Sequence, residues 1–407
     1  MINLGGLLSL FSKDRALIDT VDSKNAAARG VVYDPSRGIR DIMYYPQSTL
    51  IAGGHPTERM VAASAVIKYY AQNRPVLFLN NGGGLYRNLC HSDFAMARGG
   101  VVTLPADPIS SYASKREAVF AIERFAESGG TPLSGKAYDC LEFMIDGLGK
   151  LGHPLNLRSL DELFSNPPAK VLFTLFAEGL ISQDEFDAET ERFQLFMDDF
   201  AGAKRVVSLM ASLFSQGSDR EVMINDLIDG NRILSVDLSL TTKRSELATE
   251  TLLEIYLEAL RRRGQNAILI AEEISMGRYA FLDSLLTDNS SGLTKILLCQ
   301  DINSLGRNDD EMKAVWNRYP NRVILWHENA EALSGLLGTY TMQTVSTHFG
   351  ETQSSFGLFP SRSASMTVAP QPGIKRIPSE EIRSLGDREC FIQTSVMPEI
   401  IKTILCI

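Results

Sequence analysis

One segment of the sequence has the order of elements that binds phosphate, but lacks the usual residues. A phosphate-binding loop follows the pattern G-x-x-x-x-G-K-[ST], in which a glycine-rich turn after a buried strand presents N–H groups to an anion at a helix N-terminus. Here the apolar strand Ser48–Ala52 leads into Gly53–Met60, which reads GGHPTERM. Glu58 stands where the second glycine belongs, Arg59 replaces the lysine and Met60 replaces the hydroxyl residue.

These departures change the chemistry that the turn can perform. Glu58 would place a negative charge against the phosphates, and Pro56 removes an N–H donor. Arginine does not replace lysine as a point donor, and the missing hydroxyl removes a magnesium ligand. An ordinary strand–turn–helix connection is therefore the simpler interpretation. If a nucleotide does bind, the residues expected to hold its phosphates are Gly53, Gly54, Thr57, Arg59 and Met60.

A second candidate is the apolar segment Ala267–Ser275, which contains two consecutive glutamates. In nucleotide hydrolysis one carboxylate at such a strand end holds Mg²⁺ or its waters, and the next polarises the attacking water. Glu272 takes the metal position and Glu273 the water-activating position. The alternative is a strand followed by a solvated acidic turn, and the pattern alone does not decide between them.

A third candidate is Gln300, which ends the apolar strand in Leu297–Leu305. A polar residue at such a strand end can sense the γ-phosphate of a nucleotide, although a glutamine after a strand is otherwise unremarkable. Together with Glu272 and Glu273 it completes the set of candidate catalytic residues.

Composition excludes several classes of protein. The chain has 407 residues, with 44% hydrophobic and 22% charged, which excludes a disordered or fibrous protein. Its 40 basic and 49 acidic residues give a net charge of −9, which argues against an extensive basic surface for nucleic acid. The five cysteines and five histidines show no metal-ligand spacing. The apolar start, Met1–Phe11, is too short to span a bilayer.

Two patterns alternate along the chain. Apolar strands and helices alternate from Met43 to Leu104, only helices are indicated for Tyr112–Gln216, and strands then resume. This order predicts an α/β core with a mostly parallel sheet and an all-α insertion. The expected organisation is an N-terminal segment (1–39), the first part of the core (40–110), the all-α domain (111–216) and the second part of the core (217–407). The Ser-, Gly- and Pro-rich stretch Phe349–Pro372 is predicted to be a long loop or linker, with a short strand near Met366–Val368.

The order of these segments resembles the type IV secretion coupling ATPases of bacterial conjugation, within the HerA/FtsK group of P-loop motor proteins. No single motif matches fully, and the likeness extends diffusely over residues 40 to 400. The likeness rests on the glycine turn, the helical segment and the strands before Glu272 and Gln300. It also rests on Arg74–Leu89, Ile224–Leu240, Asn321–Tyr340 and Arg376–Gln393. The resemblance implies a P-loop NTPase-like core of the RecA/HerA type with an all-α insertion domain.

The resemblance also implies functions, among which the degenerate turn favours one. The leading expectation is a pseudo-ATPase that serves as a structural or regulatory subunit of a DNA- or protein-translocating complex. One alternative is an active ATP-driven DNA motor with an atypical loop, and another is a cytosolic adaptor that binds secretion substrates through its helical insertion. Because such folds act as rings, arginines lent to a neighbouring subunit's site are expected among Arg307, Arg318 and Arg322.

The implied ligands and partners follow from these alternatives. A pseudo-ATPase needs no cofactor, whereas an active site would take ATP and Mg²⁺, with Glu272 as the metal ligand. The chain is expected to form homo- or hetero-oligomers with other secretion or conjugation subunits, and DNA stays open as a partner. We expect a cytoplasmic protein that associates with the inner face of the membrane only through those partners.

Overall fold

The computed structural model describes residues 4–43, 46–81, 87, 89–103, 107–109, 114–214, 224–238, 243–274, 286, 292–352 and 361–405. The strands in these ranges are β1 (Val31–Tyr33), β2 (Thr49–Ala52), β3 (Val76–Asn80), β4 (Val101–Thr103), β5 (Ile233–Asp237), β6 (Ala267–Glu272), β7 (Leu293–Cys299), β8 (Asn321–Ile324), β9 (Thr339–Thr352), β10 (Ser361–Lys375), β11 (Glu389–Gln393) and β12 (Ile400–Ile404).

The α-helices in the same ranges, numbered along the chain, are α1 (Leu4–Arg29), α2 (Ile39–Ile42), α3 (Pro56–Tyr70), α4 (Asp93–Met96), α5 (Lys115–Ser128), α6 (Gly135–Lys150), α7 (Leu157–Phe164), α8 (Pro168–Ala177), α9 (Gln183–Phe196), α10 (Phe200–Phe214), α11 (Ile224–Asp229), α12 (Lys243–Arg263), α13 (Asp309–Arg318), α14 (Ala330–Leu336) and α15 (Ser379–Arg383). No helix in the described part of the chain has the length and apolarity needed to cross a membrane.

Ten strands form one sheet in the order β1-β12-β11-β8-β2-β7-β6-β3-β5-β4. The pairs β1/β12, β2/β8, β3/β6, β3/β5 and β4/β5 are parallel, whereas β11 is antiparallel to both β8 and β12. Strands β2, β3 and β6 are buried along their whole lengths, which accounts for their continuous apolar sequences. The predicted α/β fold with a mostly parallel sheet is confirmed.

The described residues form two compact units. The first contains residues 4–66 and 298–405, and the second contains residues 67–274, 286 and 292–297. Helices α5–α10 follow one another between β4 and β5 in the chain, with no strand among the described residues of that segment, as the sequence predicted. The domain boundaries expected from the sequence stay a prediction.

Four helices of the second unit begin where the sequence supplies a capping side chain. Ser114, Ser134, Asn156 and Ser182 each accept a hydrogen bond from the backbone N–H three residues ahead, at the start of α5, α6, α7 and α9. In α9, Glu185 also returns its carboxylate to the Ser182 N–H, which completes a capping box.

The predicted loop Phe349–Pro372 is wrong for the residues that the structure describes. Strands β9 and β10 form a long antiparallel hairpin, which is a separate two-stranded sheet. Proline is tolerated here because Pro370 lies opposite Gln343, at a position where its missing N–H breaks no bond to β9. Residues 353–360 of the expected loop lie outside the described residues.

Candidate functional site

The glycine turn after β2 packs tightly against the chain that follows β8. Gly53 and Gly54 have φ values of +83° and +70°, which favour glycine. The Gly53 N–H donates to the Cys299 carbonyl at 3.0 Å, and the Gly54 N–H donates to the Trp326 carbonyl at 2.5 Å. A Cβ atom at Gly53 would lie 2.5 Å from the Trp326 carbonyl oxygen. The turn is therefore closed against protein backbone.

The carboxylate of Glu58 lies at the N-terminus of α3. One oxygen, Oε2, accepts the His55 N–H at 2.8 Å, and the other, Oε1, accepts the Arg388 N–H at 3.3 Å. An anion is favoured at a helix N-terminus because unpaired N–H groups and the helix dipole meet there. Glu58 thus supplies the negative charge that a phosphate would bring, from within the chain.

The helix start explains why Glu58 takes this position. Pro56 is the first residue of α3, where the absence of its N–H costs nothing. Two residues later, Glu58 can reach back to the N–H of the residue before the proline, as the second half of a capping box does. From the sequence pattern, Glu58 is expected only to repel a phosphate. The proline-to-glutamate spacing was the signal that it caps its own helix.

Arg59 is buried and turned toward the glycine carbonyls. Only 6% of its surface is exposed, and its Nη1 donates to the Gly54 oxygen at 2.6 Å and the Gly53 oxygen at 3.2 Å. The guanidinium therefore holds the turn closed. Of the other residues expected to contact phosphates, Thr57 is exposed and Met60 is half-buried.

The turn does not fit a nucleotide phosphate in this conformation. The N–H groups of Gly53, Gly54 and His55 all donate within the chain, and Pro56 has none. The phosphates of ATP would need those donors, together with a cation free to reach the transferring phosphoryl group.

The strand ends beside the turn in the first unit carry polar side chains. Gln300, the expected phosphate sensor, follows β7 and is exposed. Its neighbour Asp301 caps the short helix that follows and accepts Asn329 Nδ2 at 3.1 Å. After β8, the Trp326 ring stacks on the His55 ring with centroids 5.7 Å apart.

His327, beside the turn, is a buried titratable group. Its Nε2 accepts the Ile302 N–H at 3.3 Å, so that nitrogen carries no proton. Burial lowers the pKa of His327, and the nearby Asp301 carboxylate, 3.6 Å from Nε2, opposes that shift without cancelling it. The imidazole is therefore neutral, and its contact with Asp301 is not an ion pair.

This burial predicts a pH-dependent stability. The pKa of His327 in the folded state lies below the ordinary 6.5. As the pH falls below 6.5, the unfolded chain therefore binds a proton at this histidine before the folded chain does, which favours unfolding. We expect the free energy of unfolding to decrease from pH 7 toward pH 5.5, with His327 contributing at most about 1.4 kcal/mol per pH unit. Urea unfolding of His327→Gln should show a weaker pH dependence, whereas the exposed control His348→Gln should match the wild type. Equal slopes for all three proteins would contradict this assignment.

The two glutamates lie in the second unit, at the end of β6. Glu272 is the last residue of that strand and is 7% exposed. Glu273 has φ +51°, an uncommon conformation for a non-glycine residue, and its carbonyl accepts Asn81 Nδ2 at 3.0 Å. Backbone strain of this kind clusters at functional sites. No group of three or more His, Cys, Asp and Glu residues in the described ranges could hold a metal ion, and magnesium binding by Glu272 stays a prediction.

The three arginines expected to serve a neighbouring subunit differ in their surroundings. Arg307 is exposed and pairs with Glu311 through its Nε at 3.1 Å, and Arg318 is exposed at the end of α13. Arg322 donates to Gln393 Oε1 at 2.7 Å and lies over the Trp316 ring at 4.3 Å. Burial lowers its pKa to about 10. Its contacts give Arg322 a structural role within its unit, and a role in trans stays a prediction for all three.

The sequence matches no protein-family model and none of the curated proteins. The structure is similar to bacterial conjugative coupling protein TrwBdeltaN70 in a trigonal form with sulphate, at 12% identity and TM-score 0.47, over 90% of this chain and 87% of that chain. It is similar to plasmid coupling protein TrwB with ADP and Mg²⁺ at 13% identity and TM-score 0.43, over 89% of this chain and 86% of that one. It is also similar to VirB4 of Thermoanaerobacter pseudethanolicus at 11% identity and TM-score 0.43, over 88% of this chain and 89% of that one. The first two are coupling proteins, the class that the order of sequence segments indicated.

Proposed function

We propose that this chain is a pseudo-ATPase: a motor-type subunit that binds no nucleotide at its glycine turn and serves a conjugation or secretion complex structurally or as a regulator. It would act in the cytoplasm, in oligomers with other subunits of the complex, and reach the inner face of the membrane through them. The order of the sequence segments resembles that of type IV secretion coupling ATPases, and this resemblance supports a role in a conjugation or secretion complex.

The observation that carries the proposal is that the turn is closed by its own residues. Glu58 occupies the helix N-terminus as an internal anion, and Arg59 is committed to the carbonyls of Gly53 and Gly54. Opening the turn for a phosphate would bring a second negative charge against Glu58. It would also remove a buried guanidinium from the carbonyls of Gly53 and Gly54, which costs free energy.

The proposal predicts that the purified chain neither binds nor hydrolyses ATP. Isothermal calorimetry with ATP and Mg²⁺ should show no saturable heat up to about 1 mM nucleotide. Phosphate release should equal that of Glu273→Gln, which removes the expected water-activating carboxylate. ATP binding at micromolar concentrations would overturn the proposal. If turnover were also lost in Glu273→Gln, the active motor would be the correct function.

A further inference from the structure

In the long hairpin of β9 and β10, most residues of β10 from Ser365 to Gly373 are exposed. Strand β10 pairs with β9 alone in the described part of the chain. Along β10, Ser365 and residues 367–373 are exposed. A two-stranded sheet is only marginally stable in water, and it normally gains a third strand or a helix against it.

A side chain of α1 identifies which edge of the hairpin is already covered. Asn25 Nδ2 donates to the Gln343 carbonyl at 2.9 Å, and Asn25 Oδ1 accepts the Gln343 N–H at 2.7 Å. Both backbone groups of Gln343 therefore point away from β10. An amide side chain thus occupies the edge of β9 as a neighbouring strand would.

The register then fixes the groups on the outer edge of β10. Gln343 lies opposite Pro370, and this pair is not hydrogen-bonded. Because bonded and non-bonded pairs alternate in an antiparallel ladder, every second residue before Pro370 directs its N–H and C=O outward. These residues are Val368, Met366 and Ala364, and β10 has no other strand beside it in the described residues.

This edge lacks the usual protection against pairing. Natural edge strands carry charges, prolines or bulges that prevent another strand from adding. Residues 363–369 read SASMTVA, with no charged residue and no proline. The register shift of β10 lies beyond this stretch, between Gln371 and Ile374.

The stretch is also suited to pairing with a second copy of itself. If two copies run antiparallel about Met366, Ser365 lies opposite Thr367, Ala364 opposite Val368, and Ser363 opposite Ala369. Arg362, the nearest charge, lies opposite Pro370 and not opposite a like charge. We propose that β10 is a self-association edge, along which a second copy of this chain pairs antiparallel about a two-fold axis at Met366. The two hairpins then form one four-stranded sheet.

A cysteine at the axis tests this arrangement directly. Met366 of one copy would lie opposite Met366 of the other in a hydrogen-bonded pair. The two Cα atoms would be about 5.5 Å apart, a separation that a disulfide spans. Mild oxidation of full-length Met366→Cys should give a covalent dimer of twice the 44.9 kDa chain mass. Thr347→Cys is the matched control, because Thr347 lies opposite Met366 within the hairpin but off the axis. The wild type controls for the five native cysteines.

A proline tests the backbone hydrogen bonds. Val368→Pro removes an N–H that points away from β9, so the hairpin keeps its ladder while each dimer loses two hydrogen bonds. Sedimentation should show about thirtyfold weaker self-association. Thr347→Pro removes an outward N–H on β9 and should leave association unchanged. Equal cross-linking in Met366→Cys and Thr347→Cys would overturn the proposal. So would association that Val368→Pro leaves unchanged, or a wild type that is monomeric at all concentrations.

Discussion

Replacement of Gly53 by alanine is expected to lower the free energy of unfolding by about 3–5 kcal/mol. The φ of +83° strains any residue with a side chain. The new Cβ would also meet the carbonyl oxygens of Trp326 at 2.5 Å and Leu325 at 2.9 Å. These are backbone atoms, which cannot turn aside as the end of a flexible side chain can. Urea unfolding monitored by circular dichroism measures the loss.

The matched control is Gly335→Ala in α14 of the same unit. There a Cβ meets nothing within 4 Å, and the residue lies in a helix. Alanine should therefore stabilise the protein, by about 0.5–1 kcal/mol. If Gly53→Ala were as stable as the wild type, the turn would not be closed against Leu325–His327 and could open to a phosphate.

Replacement of Arg59 by methionine should destabilise the protein by about 2–4 kcal/mol, because two buried carbonyls lose their guanidinium donor. Methionine keeps much of the side-chain volume, so the loss reports mainly on the hydrogen bonds to Gly53 and Gly54. Denaturant unfolding again gives the magnitude.

Arg15→Met in α1 serves as the control for Arg59. Arg15 is exposed, and its replacement should change the free energy of unfolding by less than about 0.5 kcal/mol. If the two variants were equally stable, Arg59 would be dispensable for the turn. It would then be available to a nucleotide phosphate, as the active-motor alternative requires.

Much of the fold could be predicted from local sequence. Continuous apolar runs such as Val76–Asn80 and Ala267–Glu272 indicate buried parallel strands. Serine or asparagine caps mark four of the helix starts between residues 114 and 183. The hairpin could not be predicted in the same way. Its serines, glycines and prolines are typical of a loop, and its anchor is a contact between Asn25 and Gln343, which are 318 residues apart.

The candidate site was predictable in position but not in conformation. The sequence located the turn at Gly53–Met60 and showed that Glu58 and Arg59 depart from the pattern of a phosphate-binding loop. It did not show that both side chains fill the turn. Those positions depend on the Arg388 backbone, 330 residues from Glu58, and on the packing of the turn against Leu325–His327. Such contacts are properties of the folded chain.

Glu58 and Arg59 close the turn to nucleotide in this structure, and a repaired turn tests this most directly. The triple substitution E58G/R59K/M60T converts GGHPTERM to GGHPTGKT, which matches the pattern G-x-x-x-x-G-K-[ST]. Calorimetric titration with ATP and Mg²⁺ compares it with the wild type, after circular dichroism has shown that both are folded. We predict saturable binding by the repaired protein and none by the wild type up to about 1 mM ATP. Micromolar binding by the wild type, equal to that of the repaired protein, would contradict the account.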